Sequence, residues 1–377
     1  MKRKIKIVIA PDSFKGSIGA AEAAEAIKAG LAETLGDADL LTLPIADGGE
    51  GTLDAMTGKT PLTSLSVPGP LGDTVTARFG HVGNVAVIEM ASAAGLTLVE
   101  EKKRSAMRTT TYGVGRIILR ALDDGYRKLM LTVGGSGTND GGCGMFSALG
   151  ARFLKEDGTA FVPCGSTLSE IAGIDLGGLD IRLKDCVFTV ATDVRNPLLG
   201  EHGATRVYAR QKGADDRELD LMEAGMSHYA DVLRQMCGRD IAAIPGCGAG
   251  GGFAAPLLAF LNAQIRSGIE AVLETVHFAD ALKGADAVIT GEGKIDRQSL
   301  YGKAISGVAG LAGKAGVPVY CLVGCVGDDR EELKKMGVSE IYALTDIAPS
   351  AEYAMAHPAQ LLQELAQRFA KEHFPGM

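Results

Sequence analysis

Nowhere in this chain do two cysteines stand at C-x-x-C spacing, and its seven cysteines are odd in number and scattered from Cys143 to Cys325. That pattern excludes a zinc ribbon, a dithiol redox pair and a disulfide scaffold, and it fits the reducing cytoplasm. Cys321 and Cys325 fall in and just past an apolar, strand-like run, where cysteine behaves as a small hydrophobe. No apolar stretch reaches membrane-spanning length. The basic and apolar opening at 1–10 is cut by Pro11-Asp12, too early for a signal peptide. A long basic face is missing as well. Net charge is −8, and the densest basic patch, Lys102-Lys103-Arg104, follows Glu100-Glu101, so nucleic acid is not an expected partner. The six histidines are isolated and form no metal or triad spacing; only His202 sits in a loop of functional character. Gly58-Lys59-Thr60 resembles the end of a Walker A motif, but Leu53 stands where that motif requires glycine.

Glycine is what the chain has in excess: 51 of 377 residues, nearly double the average usage of roughly 7%. With 46% hydrophobic residues the chain can fill sizeable cores, and its length calls for two domains. Strand-like Ile5–Ala10 leads through PDSFKGS into a helical AAEAAEAIKAGLAETL that Gly36 stops. Residues 61–90 change character, with Pro-Gly-Pro at 68–70 and alternating segments that predict antiparallel strands. The strand–helix rhythm resumes near Thr109 and persists, with helices predicted over 215–236, 254–276 and 357–372, near Glu331 and from Lys303. Alternating units of this kind predict an α/β fold of two α/β domains. One is Rossmann- or flavodoxin-like, its parallel sheet built from both chain ends (1–68 plus 285–377); the other is an inserted mixed α/β domain (69–284).

Five loops join glycine to acidic or hydroxyl residues directly after apolar strands: PDSFKGS (11–17), ADGGEGT (46–52), GGSGTNDGG (134–142), ATDVRNP (191–197) and TGEGKIDRQS (290–299). Ligands of doubly wound sheets collect at the carboxyl ends of strands. Any one loop alone reads equally well as a turn or cap, Asp47 as a helix cap and Ser13 as a turn residue. The third is the most telling. A side-chain-poor strand-to-helix turn presents backbone N–H groups to an anion. Asp140 beside it makes sense when Mg²⁺ lies between carboxylate and phosphate. Gly246-Cys-Gly248-Ala-Gly-Gly251, with Glu270 beyond it, formally matches a dinucleotide fingerprint, but the preceding DIAAIP is a poor strand.

With PDSFKGS, ADGGEGT, TYGVG, GGSGTNDGG, DVRNPLLG, QKGA and TGEGKIDRQS in this order, the chain resembles the type I bacterial glycerate kinases from Ile7 to about Gly324. Small departures are Gly137 where alanine is usual, GCGAGGG in place of GAGAAGG, and Arg195 at a variable position. The resemblance implies ATP-dependent phosphorylation of D-glycerate, commonly giving 2-phosphoglycerate, with Mg²⁺, in two α/β domains with the active site in the cleft between them. Phosphoryl transfer needs charge neutralisation, alignment and a base that collects the acceptor proton late. Asp193 is the expected base, with Lys15 and Arg195 as catalytic cations and Lys294 as a further candidate. Ser13, Asp47, Gly48, Gly49 and Glu50 are expected to bind glycerate. Gly134, Gly135, Ser136, Gly137, Thr138 and Asn139 are expected to hold the ATP phosphates, with Asp140 or Glu292 on the metal. Two rival readings are an NAD-linked dehydrogenase of small hydroxy acids and a non-catalytic sugar-acid-binding regulator. The residues leave open whether the chain forms a homo-oligomer.

Overall fold

The computed structural model describes residues 3–49, 51–58, 60–295, 304–327 and 334–375. The chain forms two compact units, one of residues 1–47, 54–59 and 267–377, the other of 48–53 and 60–266. The strand Thr63–Pro68 pairs antiparallel with Thr74–Val82 and so joins the second unit's sheet, ahead of the border expected at 68/69. Helix Gly268–Thr275 packs on helix Ala304–Ala315 and so joins the first unit, ahead of the border expected at 284/285.

In the first unit the strands Asp39–Thr42, Lys6–Pro11, Ala287–Gly291, Val319–Val323 and Val338–Ala343 lie side by side in that order. Every neighbouring pair is parallel. Counted within the unit this is the order 2-1-3-4-5, the flavodoxin-like doubly wound arrangement with its switch point between the first and third strands. Near-continuous apolar strands such as Lys6–Pro11, in which only the first residue is not fully buried, are what a sheet covered on both faces demands. Helix Ala20–Leu35 turns Ala23, Ile27, Leu31 and Leu35 inward at four-residue spacing and ends at Gly36, whose N–H caps the Ala32 carbonyl. It packs along the last helix, Pro358–His373, which buries Leu361, Leu362, Leu365 and Phe369. Each such side chain contributes roughly 1.5–3 kcal/mol by leaving water. The two chain ends are thus held together by one core.

The second unit holds a six-stranded mixed sheet. Gln264–Arg266, Val187–Ala191, Lys128–Thr132 and Val85–Glu89 run parallel, and the Thr74–Val82 and Thr63–Pro68 hairpin extends it antiparallel. The long helix Asp216–Cys237 starts at a reciprocal capping box between Asp215 and Glu218. The predicted helix over 254–276 is instead Ala255–Phe260, the short strand Gln264–Arg266 and Gly268–Thr275. Asn262 takes a positive φ of 55° and breaks the helix there. The helix expected near Glu331 lies outside the described residues. Among the described residues no helix is long and apolar enough to cross a membrane.

Candidate active site

The first unit carries a cavity of about 400 Å³ at the carboxyl end of its sheet, lined by residues from all five strand tips. Asp12, Ser13, Phe14, Lys15 and Ser17 follow the first strand, and Asp47 the second. Glu292, Gly293 and Lys294 follow Ala287–Gly291, Gly324 and Cys325 follow Val319–Val323, and Leu344 and Thr345 follow Val338–Ala343. The lining includes residues beyond the two strands that flank the switch point, where such folds bind ligands. Glycine is required for these tips to meet. A Cβ at Gly291 would stand 1.7 Å from the Leu322 carbonyl oxygen, and one at Gly324 would stand 2.2 Å from that of Gly293. The tips are then laced together by Asp12 N–H to Gly291 O (2.8 Å), Gly324 N–H to Glu292 O (3.0 Å) and Thr345 N–H to Gly324 O (3.2 Å). Phe14 is buried in the unit's core, and Ser17 Oγ donates to the Met355 carbonyl at 2.6 Å.

Of the residues predicted to act, Ser13, Lys15, Asp47 and Glu292 meet around this cavity, together with Lys294. Glu50 lies outside the described residues. The sequence reading passed over Asp12, whose carboxyl is pushed up to about 7 by burial and by the neighbouring Asp47 and Glu292, against a hydrogen bond from the Ser13 amide. A carboxyl crowded by two others is stabilised by an incoming cation. Its signal was visible as the acid directly after a buried strand, inside the PDSFKGS loop.

The second unit gathers the remaining predicted residues along the carboxyl edge of its own parallel strands. Leu53 is held at the tip of Val85–Glu89, its N–H donating to Glu89 Oε1 at 2.9 Å. The run from Gly134 follows Lys128–Thr132, and Asp193 and Arg195, both exposed, follow the paired strand Val187–Ala191. Asn196 fastens the latter loop, its Nδ2 donating to His202 O at 2.7 Å and its Oδ1 accepting from Tyr208 OH at 2.8 Å.

Asp140, suggested by the sequence as a metal ligand, has its carboxylate engaged within the protein. It is fully buried, and its carboxylate accepts Thr111 N–H (2.7 Å), Thr111 Oγ1–H (2.8 Å), Gly142 N–H (3.1 Å) and Gly144 N–H (3.2 Å). Burial pushes this carboxyl up, and the bonds from Thr111, Gly142 and Gly144 pull it back. The anion that occupies the start of the following helix is therefore the protein's own. Much of the glycine run is likewise engaged. Gly137 N–H donates to Ala94 O, Gly135 O accepts Leu96 N–H, and Ser136 bridges Gly95. Thr138 O accepts Lys212 Nζ at 2.7 Å, and Asn139 Nδ2 donates to Thr205 Oγ1 at 3.1 Å. Lys212 is buried, which pulls its amine down to about 7 despite the opposing charge of Asp140.

Nor does the run Gly246–Gly251 present the strand–turn–helix setting of a dinucleotide site, because no strand precedes it. Its glycines are spacers: a Cβ at Gly248 would lie 2.1 Å from Pro197 O, and one at Gly251 2.2 Å from Thr138 O. The dehydrogenase reading loses its one structural support.

A sequence model described as the glycerate kinase family matches residues 7–373. A glycerate kinase of Halalkalibacterium halodurans is 44% identical over 97% of this chain and 97% of its own length. The glycerate 2-kinase of Escherichia coli K12 is 43% identical over 90% of each chain. A crystal structure from Salmonella typhimurium LT2, described as a putative glycerate kinase 2, superposes with a TM-score of 0.89 at 40% identity over 98% of both chains. The chain belongs to the glycerate kinase family.

Proposed function

We propose that this enzyme transfers the γ-phosphoryl group of ATP to D-glycerate, at the 2-hydroxyl, giving 2-phosphoglycerate and ADP. One observation carries the reading beyond family membership. A single cavity at the sheet's carboxyl end sets Lys15 and Lys294 beside Asp12, Asp47 and Glu292. Lysines neutralise phosphate oxygens, and carboxylates serve a metal ion that accompanies a polyphosphate. Among the described residues no group of three metal-ligating side chains stands close enough to hold an ion alone. Mg²⁺ ordinarily takes one or two carboxylates and fills its remaining positions with water and substrate phosphate. Asp12, with one of its neighbours Asp47 and Glu292, would hold it, and when bound it would supply charge neutralisation at the phosphates.

Lys15 and Lys294 draw charge off the transferring group. Asp193 takes the glycerate hydroxyl proton and Arg195 pairs with an anionic oxygen, both roles resting on their exposed position at a strand tip. Gly48 and Gly49, close to Asp47 in the chain, offer backbone N–H groups to the small acid. In the glycine run Gly135 is exposed and Gly134 and Ser136 are half-buried, which leaves this part to meet a ligand, whereas Gly137 to Asp140 are buried and shape the loop from within. All seven cysteines are free thiols, in keeping with work in the cytoplasm.

Phosphorus NMR of a mixture of the protein, Mg²⁺, ATP and D-glycerate tests this directly. The expected spectrum gains ADP and 2-phosphoglycerate together. A 3-phosphoglycerate signal would overturn the regiochemistry, and no ADP at all would overturn the activity.

A further inference from the structure

We infer that the cavity of the first unit is the nucleotide site itself, with the purine ring of ATP lying on the apolar wall made by Leu344, Ala354 and Met355. This rests on the kinase reading above and assigns which of the two substrates the cavity takes. The first argument is size. About 400 Å³ falls within the roughly 300–1,000 Å³ that encloses a drug-sized ligand, and a three-carbon acid would leave most of it empty. The second is the division of the lining. Charged groups come from the strand-tip loops, Lys15 and Lys294 among them, whereas Leu344 and the residues that the helix Ala351–Ala356 contributes, Ala351, Ala354 and Met355, are apolar. Glycerate carries a polar group on every carbon and gains nothing from such a wall. A purine has two apolar faces, and its triphosphate reaches away from them toward cations.

The third argument is pre-organisation. The wall and the charged loop are fixed to one another, by Ser17 Oγ to Met355 O at 2.6 Å and by Thr345 N–H to Gly324 O at 3.2 Å. A ligand that spans both therefore meets a surface already shaped, which lowers the ordering cost of binding. Among such ligands a nucleoside triphosphate has the matching sequence of parts: flat apolar base, then polyanion.

The chain contains no tryptophan, so Met355→Trp creates a single emitter at a position 57% exposed, where a larger ring is tolerated. Mg·ADP is expected to quench its emission, and D-glycerate alone is expected to leave it unchanged. A control tryptophan at Leu221, also exposed and in the second unit, should respond to neither. Quenching by D-glycerate, or emission unmoved by nucleotide at concentrations that saturate turnover, would overturn the assignment. Ala354→Leu provides a second measure that keeps the wall apolar while narrowing it. The KM for ATP should rise about tenfold with the KM for D-glycerate within about twofold, and the reverse split would contradict the proposal. The two readings fail separately: a wild-type protein that makes no phosphoglycerate yet shows nucleotide quenching loses its assigned reaction and keeps its nucleotide site.

Discussion

The two units solve the same problem of glycine-rich loops at the carboxyl ends of parallel strands in opposite ways. In the first, the loops after Pro11, Thr42 and Gly291 turn charged side chains into a cavity, and the glycines serve to bring the tips into contact. In the second, the loop after Thr132 turns its carboxylate and its carbonyls inward, onto Thr111, Gly142, Gly144 and Lys212. Similar composition therefore does not give similar availability. What decides is whether another element approaches closely enough to use the donors first. Thr111 is the deciding neighbour of Asp140, and it arrives from 29 residues earlier in the chain.

The sharpest way to break this contrast is to remove the inward anion. Asp140→Ala leaves four buried donors without an acceptor, and the loss of stability should be about 3–5 kcal/mol, read by urea unfolding in metal-free buffer. Unchanged stability there would return Asp140 to the role of an exposed ligand. A smaller effect is expected at the exposed tip residue Asp193. Asp193→Asn should lower kcat about a hundredfold with little change in the urea midpoint, and near-normal turnover would remove it from the base role.

A subtler pair of effects lies in the pH dependence. The Asp12 carboxyl is raised from 3.8 to about 7, so between those values the folded protein keeps a proton that the unfolded chain releases. Its contribution to stability is full below about 3.8 and is lost as pH rises through about 7. Lys212 is lowered from 10.5 to about 7 by burial, so there the unfolded chain binds the extra proton. Its contribution is full above about 10.5 and is lost as pH falls through about 7. Hydrogen exchange, resolved by peptide and corrected for intrinsic rates, should show Ala287–Gly291 losing protection between pH 4 and 7, while Lys128–Thr132 gains it from pH 7 upward. Mg·ATP should suppress the first change. One common profile for both strands would erase the distinction.

Much of this architecture was legible from pattern. The helix Ala20–Leu35 announces itself by the spacing of Ala23, Ile27, Leu31 and Leu35 and by Gly36, and buried strands by their unbroken apolar runs. The gathering of Ser13, Lys15, Asp47 and Glu292 followed from the rule that strand tips of a parallel sheet share one edge. The fate of Asp140 was not legible, because local sequence gives the direction of neither a carboxylate nor its distant donors. The break at Asn262 was hidden for a related reason. An apolar run from Phe253 reads as one helix until tertiary pairing of Gln264–Arg266 with the sheet draws part of it into a strand. Asp12 shows the converse: its residue type and position were plain, and only the proximity of two further carboxylates gave it chemical character.

The central claim is that the outward-facing charges of the first unit handle the triphosphate. Lys15 and Lys294 are both exposed, so the double variant Lys15→Ala/Lys294→Ala separates chemistry from folding. Charge-assisted hydrogen bonds contribute roughly 1.5–3 kcal/mol each, so kcat/KM for ATP should fall about 10²–10⁴-fold while the melting temperature stays that of the parent. Turnover within about threefold of the parent, with the fold intact, would contradict the account.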